Sequence, residues 1–137
     1  MKKNLNKMMA ALMIGVSVFS MTVDAAGKGN GTVYVPRNCS FRLAESNVKR
    51  TRKENNVNVK ADSVYPAQEG VEDTYKKCQV VLRSNGMYVS DYYILEEGKM
   101  RHVYIKNGYL DIKNFSIYFA GNNPDLDARI AYYYNGK

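Results

Sequence analysis

Hydrophobic and polar residues alternate along much of the chain, and this alternation predicts β-strands. Residues 74–83 give the clearest example, since Cys78, Val80 and Leu82 fall on one face of an extended chain. The residues between them are polar except Val81, so one side of the segment is expected to face a core and the other to face water. We predict that it forms the central strand of the fold.

Several other segments show the same alternation, and turn signals separate them. The Asn-Gly pairs at 85–86 and 107–108 suit the type I′ turns of two-residue β-hairpins, so a hairpin is predicted at each. Residues 46–56 break the pattern and are predicted to form an exposed loop. The predicted strands are residues 32–35, 39–43, 56–61, 74–83, 88–95, 102–106, 109–112, 115–119 and 128–134.

About eight short strands with turns between them predict one all-β domain. The expected architecture is an antiparallel β-sandwich with Greek-key-like connections, and the alternative is a small β-barrel of the OB type. Cys39 and Cys78 are the two cysteines of the chain, and both lie on the apolar side of a predicted strand. A disulfide bond between them is therefore expected to link the two sheets, which favours the sandwich.

The first 25 residues have the three parts of a secretory signal peptide. Three lysines stand within the first seven residues, residues 8–23 carry no charge, and small residues surround the cleavage point expected after Ala25. Cleavage there leaves residues 26–137 as a single secreted or periplasmic domain, with no integral membrane segment expected in it.

Positive charge is concentrated in one predicted loop. The formal net charge is +7, and the densest cationic group consists of Lys49, Arg50, Arg52 and Lys53. Such a group could bind a polyanion, for example nucleic acid, teichoic acid or the phosphates of lipopolysaccharide. The alternatives are a solvated loop that keeps the domain soluble and a site of proteolytic nicking.

Tyrosine is abundant, with twelve residues, whereas tryptophan is absent. Tyr88, Tyr92 and Tyr104 fall on or beside the polar faces of predicted strands, so their rings are candidates for stacking on a sugar or a base. The alternative is cross-strand pairing of aromatic side chains, which stabilises a sheet without a ligand.

Signals for catalysis or metal binding are weak. His102 is the only histidine, and the chain contains neither a Gly-x-Ser-x-Gly nor a His-Glu-x-x-His motif. Residues 122–127 form an oxygen-rich turn that could offer Ca²⁺ ligands, but they lack the spacing of an EF-hand loop, and Asn and Asp favour turns for local reasons. We therefore predict no catalytic residue, no metal and no cofactor.

Short runs in the chain resemble the staphylococcal-type thermonucleases, which are secreted OB-fold enzymes. The runs are residues 31–33, 41–43, 98–100 and 105–110. The resemblance implies an OB-type barrel with nuclease activity, and among the family's site residues it carries over only Arg42. Gly-Asn-Gly-Thr stands where that family has Asp-Gly-Asp-Thr, Ala-Glu-Ser stands in place of its Asp-x-Pro-Glu run, and Met87 stands where it has an arginine.

The sequence thus predicts an exported, non-enzymatic binding or interaction module. Its expected partner is a cell-surface polyanion, a glycan or another protein. Two alternatives remain open, namely a small secreted antibacterial protein of the bacteriocin kind, whose positive charge would suit anionic envelopes, and a divergent or inactive secreted nuclease.

Overall fold

The computed structural model describes residues 27–50, 54–66 and 76–136. The predicted leader, Arg52, Lys53 and the acidic segment 67–73 lie outside these ranges. Within the ranges, the chain forms strands and a single 3-10 helix, Asn107–Tyr109. The strands are β1 (Lys28–Val35), β2 (Arg42–Lys49), β3 (Asn56–Pro66), β4 (Lys77–Ser84), β5 (Met87–Tyr88), β6 (Tyr93–Glu96), β7 (Met100–Tyr104), β8 (Asn114–Gly121) and β9 (Ala128–Asn135).

The strands form two sheets, and all the pairings described are antiparallel. The first sheet has the order β1-β9-β3-β7, and the second has the order β2-β8-β4, with β5 and β6 both paired to the remaining edge of β4. Strands β4, β5 and β6 follow one another in the same sheet. Every other connection between consecutive strands passes from one sheet to the other. The predicted all-β class is confirmed, and the arrangement is sandwich-like.

One hydrophobic core fills the space between the sheets. The inward side chains are mainly β-branched or aromatic, the types that suit a pleated surface buried on one side. Phe119 of the second sheet stacks on Tyr132 of the first, with ring centroids 4.9 Å apart. On the last strand, Ile130, Tyr132 and Tyr134 all face the core and are buried.

Tyr132 also ties β9 to β2 of the opposite sheet. Its hydroxyl donates to the Glu45 carboxylate at 2.6 Å and lies 3.2 Å from the Ala44 carbonyl oxygen. Burial, together with the bond to Glu45, raises the pKa of Tyr132 well above its usual range. Gly31 makes room for this contact, since a Cβ at that position would lie 2.6 Å from the Tyr132 hydroxyl oxygen.

A second link joins the sheets at their other side. Ser90 and Ile105 form an isolated antiparallel bridge, and the Lys106 amide donates to the Val89 carbonyl at 2.8 Å. Specific contacts therefore join the two sheets at both of these places.

The predicted boundaries of the second strand are wrong. We expected a strand at 39–43 followed by a loop, whereas β2 begins at Arg42 and continues to Lys49. Its pairing with β8 is irregular, with register shifts on both sides of Glu45, and Asn47 has a φ of 55°. Such bulges interrupt the two-residue period, so the sequence pattern did not show that the strand continues.

Only one of the two predicted hairpins forms. Asn85 and Gly86 have φ values of 50° and 77°, as a type I′ turn requires, and they join β4 to β5. Neither Asn107 nor Gly108 has a positive φ, and this pair lies in the 3-10 helix instead. The preceding strand, β7, pairs with β3, so the predicted hairpin of 102–106 with 109–112 is wrong.

The predicted disulfide bond is also wrong, because both cysteines are free. Cys78 lies on the inner face of β4, where burial raises its pKa to about 12. Cys39 lies before β2 in the turn at 37–39, with a φ of 54°. Strand β8 separates β2 from β4, so the strand that follows Cys39 is not a neighbour of the strand that holds Cys78.

No helix within 27–50, 54–66 and 76–136 has both the length and the apolar character needed to cross a bilayer.

Replacing Gly31 with alanine should destabilise the fold by about 1 to 3 kcal/mol, because the new methyl group would overlap the Tyr132 ring. Urea unfolding measures the loss. Gly108→Ala is the matched control, since nothing lies within 4 Å of its added Cβ, and it should change stability by at most about 0.5 kcal/mol. Equal stability of the two variants would contradict the close contact.

A thiol reagent applied to the folded protein should label Cys39 and spare Cys78, because only Cys39 is partly exposed. Labelling of Cys78 should require unfolding in urea. The Cys39→Ser variant serves as the control and should stay unlabelled until it unfolds. Intact-mass analysis that finds a bond between the two sulfurs would refute this arrangement.

Candidate functional site

The outer faces of the two sheets differ in chemical character. On the first sheet, polar side chains such as Asn58, Lys60 and His102 lie between separate exposed rings, those of Tyr34, Tyr65 and Tyr104. The second sheet presents a row of apolar and aromatic side chains across its strands, since Leu43 of β2 pairs with Tyr118 of β8, which in turn pairs with Val81 of β4. The second sheet is therefore the better candidate for contact with a ligand.

A cleft of about 440 Å³ opens on this side of the second sheet. Val81 is buried and forms part of its lining, and three aromatic residues contribute the rest of its apolar surface. Tyr88 and Tyr92 are 52% and 66% exposed, so their rings remain available to a bound molecule. The complete lining is Phe41, Val81, Tyr88, Ser90, Asp91, Tyr92 and Lys106.

An irregularity between β5 and β6 shapes the cleft. Both strands pair with the same edge of β4, and the residues between them, 89–92, leave the regular ladder. Ser90 fills the gap, because its buried hydroxyl accepts from the Leu82 amide at 2.9 Å and donates to the Asp91 carbonyl at 2.7 Å. Ser90 thus holds the bulge that presents Asp91 and Tyr92 at the surface.

Two charged residues line the cleft. The Lys106 ammonium lies 3.7 Å from an Asp91 carboxylate oxygen, and both side chains are substantially exposed. Lys106 follows β7 of the first sheet, and the bond from its amide to Val89 brings it beside the bulge. The cleft therefore combines aromatic surface with one hydrogen-bond acceptor group and one donor group of opposite charge.

Arg83 supports the aromatic wall. Its guanidinium lies 4.9 Å from the centroid of the Tyr88 ring and 5.1 Å from that of Tyr118, so it is placed between two tyrosines. It also donates to the Gly86 carbonyl in the turn. Cation–π contacts of this kind contribute about 0.5 to 1 kcal/mol at exposed positions, and they restrict the Tyr88 ring.

The structure brings together two of the three tyrosines predicted to stack on a ligand. Tyr88 and Tyr92 both line the cleft, whereas Tyr104 lies on β7 in the other sheet. The Tyr104 ring is 48% exposed and lies beside the ring of His102, with centroids 6.3 Å apart. His102 itself hydrogen-bonds to the Asn58 side chain.

Of the predicted cationic group, only Lys49 and Arg50 fall within the described residues. Lys49 is exposed at the end of β2. Arg50 is half-buried, and its guanidinium donates to three backbone carbonyls, those of Leu110, Ile112 and Glu54. Arg50 therefore fastens the end of β2 to the turn that follows the 3-10 helix.

In the oxygen-rich turn at 122–127, the side chains of Asn123 and Asp127 bond to groups of the protein itself. The Asn123 side chain accepts from the Asp125 amide at 2.9 Å, which is a local Asx turn. Asp127 accepts from the Arg37 amide at 2.6 Å and lies 3.6 Å from the Arg37 guanidinium. Within the described part of the chain, no group of three or more His, Cys, Asp or Glu residues is arranged to hold a metal ion.

A second opening, of about 330 Å³, involves the opposite face of β2. Arg42, the residue carried over from the nuclease resemblance, lines it together with Tyr34 and Asp127. Asp127 is the carboxylate in this lining, and it already pairs with Arg37.

Sequence reasoning missed several residues of the cleft. Phe41 and Lys106 come from distant segments, which only the long-range pairing of the strands brings to the cleft, whereas Ser90 and Asp91 lie between Tyr88 and Tyr92 and carry no distinctive pattern. Besides the two tyrosines, Val81 is the lining residue that the sequence could have indicated, because it is the apolar exception on the polar side of β4.

No protein-family model, curated protein or solved structure matches this chain.

Replacing Ser90 with alanine should lower the free energy of unfolding by about 1 to 3 kcal/mol, because the buried Leu82 amide would lose its acceptor. Amide hydrogen exchange at Leu82 should accelerate at the same time. The control is Ser84→Ala, which removes an exposed bond to the Asn114 carbonyl and should have an effect below about 0.5 kcal/mol. Unchanged exchange at Leu82 would show that Ser90 does not hold the bulge.

Proposed function

We propose that this protein is an exported binding module without enzymatic activity, and that its cleft holds a sugar ring of a glycan. The observation that carries the proposal is the pair of exposed tyrosines, Tyr88 and Tyr92, in one cleft with Asp91 and Lys106. The predicted leader supports export, and the proposed architecture is a Greek-key-like sandwich.

The lining suits the amphipathic surface of a sugar. A pyranose ring has an apolar face of C–H groups, which packs on a tyrosine ring, and a rim of hydroxyl groups, which bond to polar side chains. Tyrosine supplies a large, rigid contact area and loses little conformational entropy on binding. A volume of about 440 Å³ is also within the usual size range of small-ligand sites.

Contacts within the protein hold the lining of the cleft in position. Val81 beneath it is buried, the bulge beside it is held by Ser90, and Arg83 restrains the Tyr88 ring from the side. A preorganised site of this kind loses less free energy to ordering when it binds.

The composition of the lining favours binding over hydrolysis. Glycoside hydrolysis ordinarily uses two carboxyl groups on either side of the bond that breaks. Among the residues that line this cleft, Asp91 is the single carboxylate.

The glycan proposal is better supported than the polyanion alternative. Arg50, one of the four cations in the predicted polyanion site, already donates to three carbonyl oxygens of its own chain. The alternative hypotheses are that the protein binds a polyanion, that it is a bacteriocin-like antibacterial protein, or that it is a divergent or inactive nuclease.

A glycan array, followed by titration of the glycans that are retained, tests the proposal with the Tyr88→Ala and Tyr92→Ala variants. Each variant should bind about tenfold more weakly, which corresponds to a loss of roughly 1.4 kcal/mol of stacking energy. Tyr104→Ala is the matched control, because Tyr104 is 48% exposed but lies on the other sheet, and it should bind normally.

The result also separates the alternatives. Binding that falls steeply between low and moderate salt would favour the polyanion hypothesis over the glycan proposal. Killing of a sensitive strain would favour the bacteriocin hypothesis, and calcium-dependent cleavage of DNA would favour the nuclease. Retention of no glycan, or unchanged binding by both cleft variants, would refute the proposal.

A further inference from the structure

We infer that the cleft selects uncharged sugars over sugars that carry a carboxylate; the inference rests on the proposed glycan-binding function. The relevant feature is the pairing of Asp91 with Lys106 in the lining. These two are the charged residues among those that line the cleft, so their formal charges cancel.

The two charged side chains differ in accessibility. The Asp91 side chain is 80% exposed, whereas that of Lys106 is 45% exposed. Both groups are therefore accessible to a molecule that enters the cleft, and the carboxylate belongs to the more exposed side chain. The separation of 3.7 Å is longer than an ordinary hydrogen bond, so each group keeps capacity to bond to a ligand.

A neutral sugar satisfies both groups. One hydroxyl can donate to the Asp91 carboxylate while another accepts from the Lys106 ammonium, and the ion pair is retained. Hydrogen bonds to charged groups are stronger than those between neutral groups, so this pair of contacts favours a hydroxyl-rich ligand.

A carboxylated sugar would be disfavoured at the same place. It brings a second negative charge close to Asp91, and the nearest cation of the lining, Lys106, is already paired. Arg83 does not line the cleft, and its guanidinium is placed between the rings of Tyr88 and Tyr118 with a further bond to the Gly86 carbonyl. The extra charge would therefore have to compete with Asp91 for Lys106, which is the cation of the lining.

Matched pairs of polysaccharides test the inference, because the members of each pair differ only in the oxidation state of C6. Suitable pairs are β-1,4-glucan with β-1,4-glucuronan, β-1,4-mannan with β-1,4-mannuronan, and α-1,4-galactan with polygalacturonate. In at least one pair the native protein should bind the neutral member about tenfold or more tightly than the acidic one, as measured by affinity electrophoresis or calorimetry at fixed salt.

The Asp91→Asn variant isolates the responsible charge. It should reduce the preference for the neutral member by about tenfold, while its urea-unfolding midpoint stays unchanged because the side chain is exposed. Glu96→Gln is the matched control, since Glu96 is likewise an exposed partner of a lysine, Lys99, but does not line this cleft. The control should keep the native preference.

The outcomes distinguish the inference from the function on which it rests. Equal or tighter binding of the acidic members, or an unchanged preference in Asp91→Asn, would overturn the inference and leave glycan binding intact. Failure to bind any member of these pairs or any glycan on the array would overturn the proposed function, and the inference with it.

Discussion

The contact of Tyr132 with the opposite sheet is the constraint on which the rest of the structure depends. Its ring stacks on Phe119 in the core, while its hydroxyl reaches Glu45. A buried hydroxyl must find a hydrogen-bond partner, because leaving it unpaired costs at least about 1 kcal/mol. This contact therefore helps to fix the relative position of the two sheets, and Gly31 leaves the space that the contact needs.

That position also determines where a binding surface can form. Because the apolar inward side chains of both sheets fill the core, only the outer faces and the edges are open to a ligand. On the second sheet, the bridge between Ser90 and Ile105 brings the segment after β7 against the bulge between β5 and β6. The polar side of the cleft arises at this junction, so it depends on how the two sheets meet.

The parts of the fold that could be predicted are those that depend on local sequence. The face of β4 that carries Val80 follows from its two-residue period, and the turn at Gly86 follows from the φ preferences of its residues. The continuation of β2 through its bulges and the separation of Cys39 from Cys78 depend on which strands become neighbours. A single sequence does not encode that pairing in a readable pattern.

The residues of the candidate site divide in the same way, into those that local sequence indicates and those that it does not. Tyr88 and Tyr92 could be identified because they lie close together in the chain, beside a predicted hairpin. Phe41 and Lys106 could not be identified, because each reaches the cleft from a distant segment through strand pairing. Distant contacts of this kind leave no periodic signal in the sequence.

Contacts between arginine and tyrosine are a recurring feature of the sheet surfaces. Arginines lie over tyrosine rings on both sheets and at the edge between them. In these contacts the arginine and the tyrosine ring bind each other, so both are partly occupied within the protein. The pairs are Arg83 with Tyr88 and Tyr118, Arg101 with Tyr93, and Arg129 with Tyr65.

Tyr92 differs from the tyrosines that these arginines cover. It is 66% exposed, and it is not among the rings that carry an arginine in the described part of the chain. Water therefore covers most of this ring, and a sugar face that replaced that water would gain apolar contact without displacing any arginine described over the ring. Tyr88 contributes a second ring that Arg83 already restrains. The cleft thus joins one open aromatic surface to one that is held in position, and the proposed binding of a sugar rests on this combination more than on the net charge of the chain.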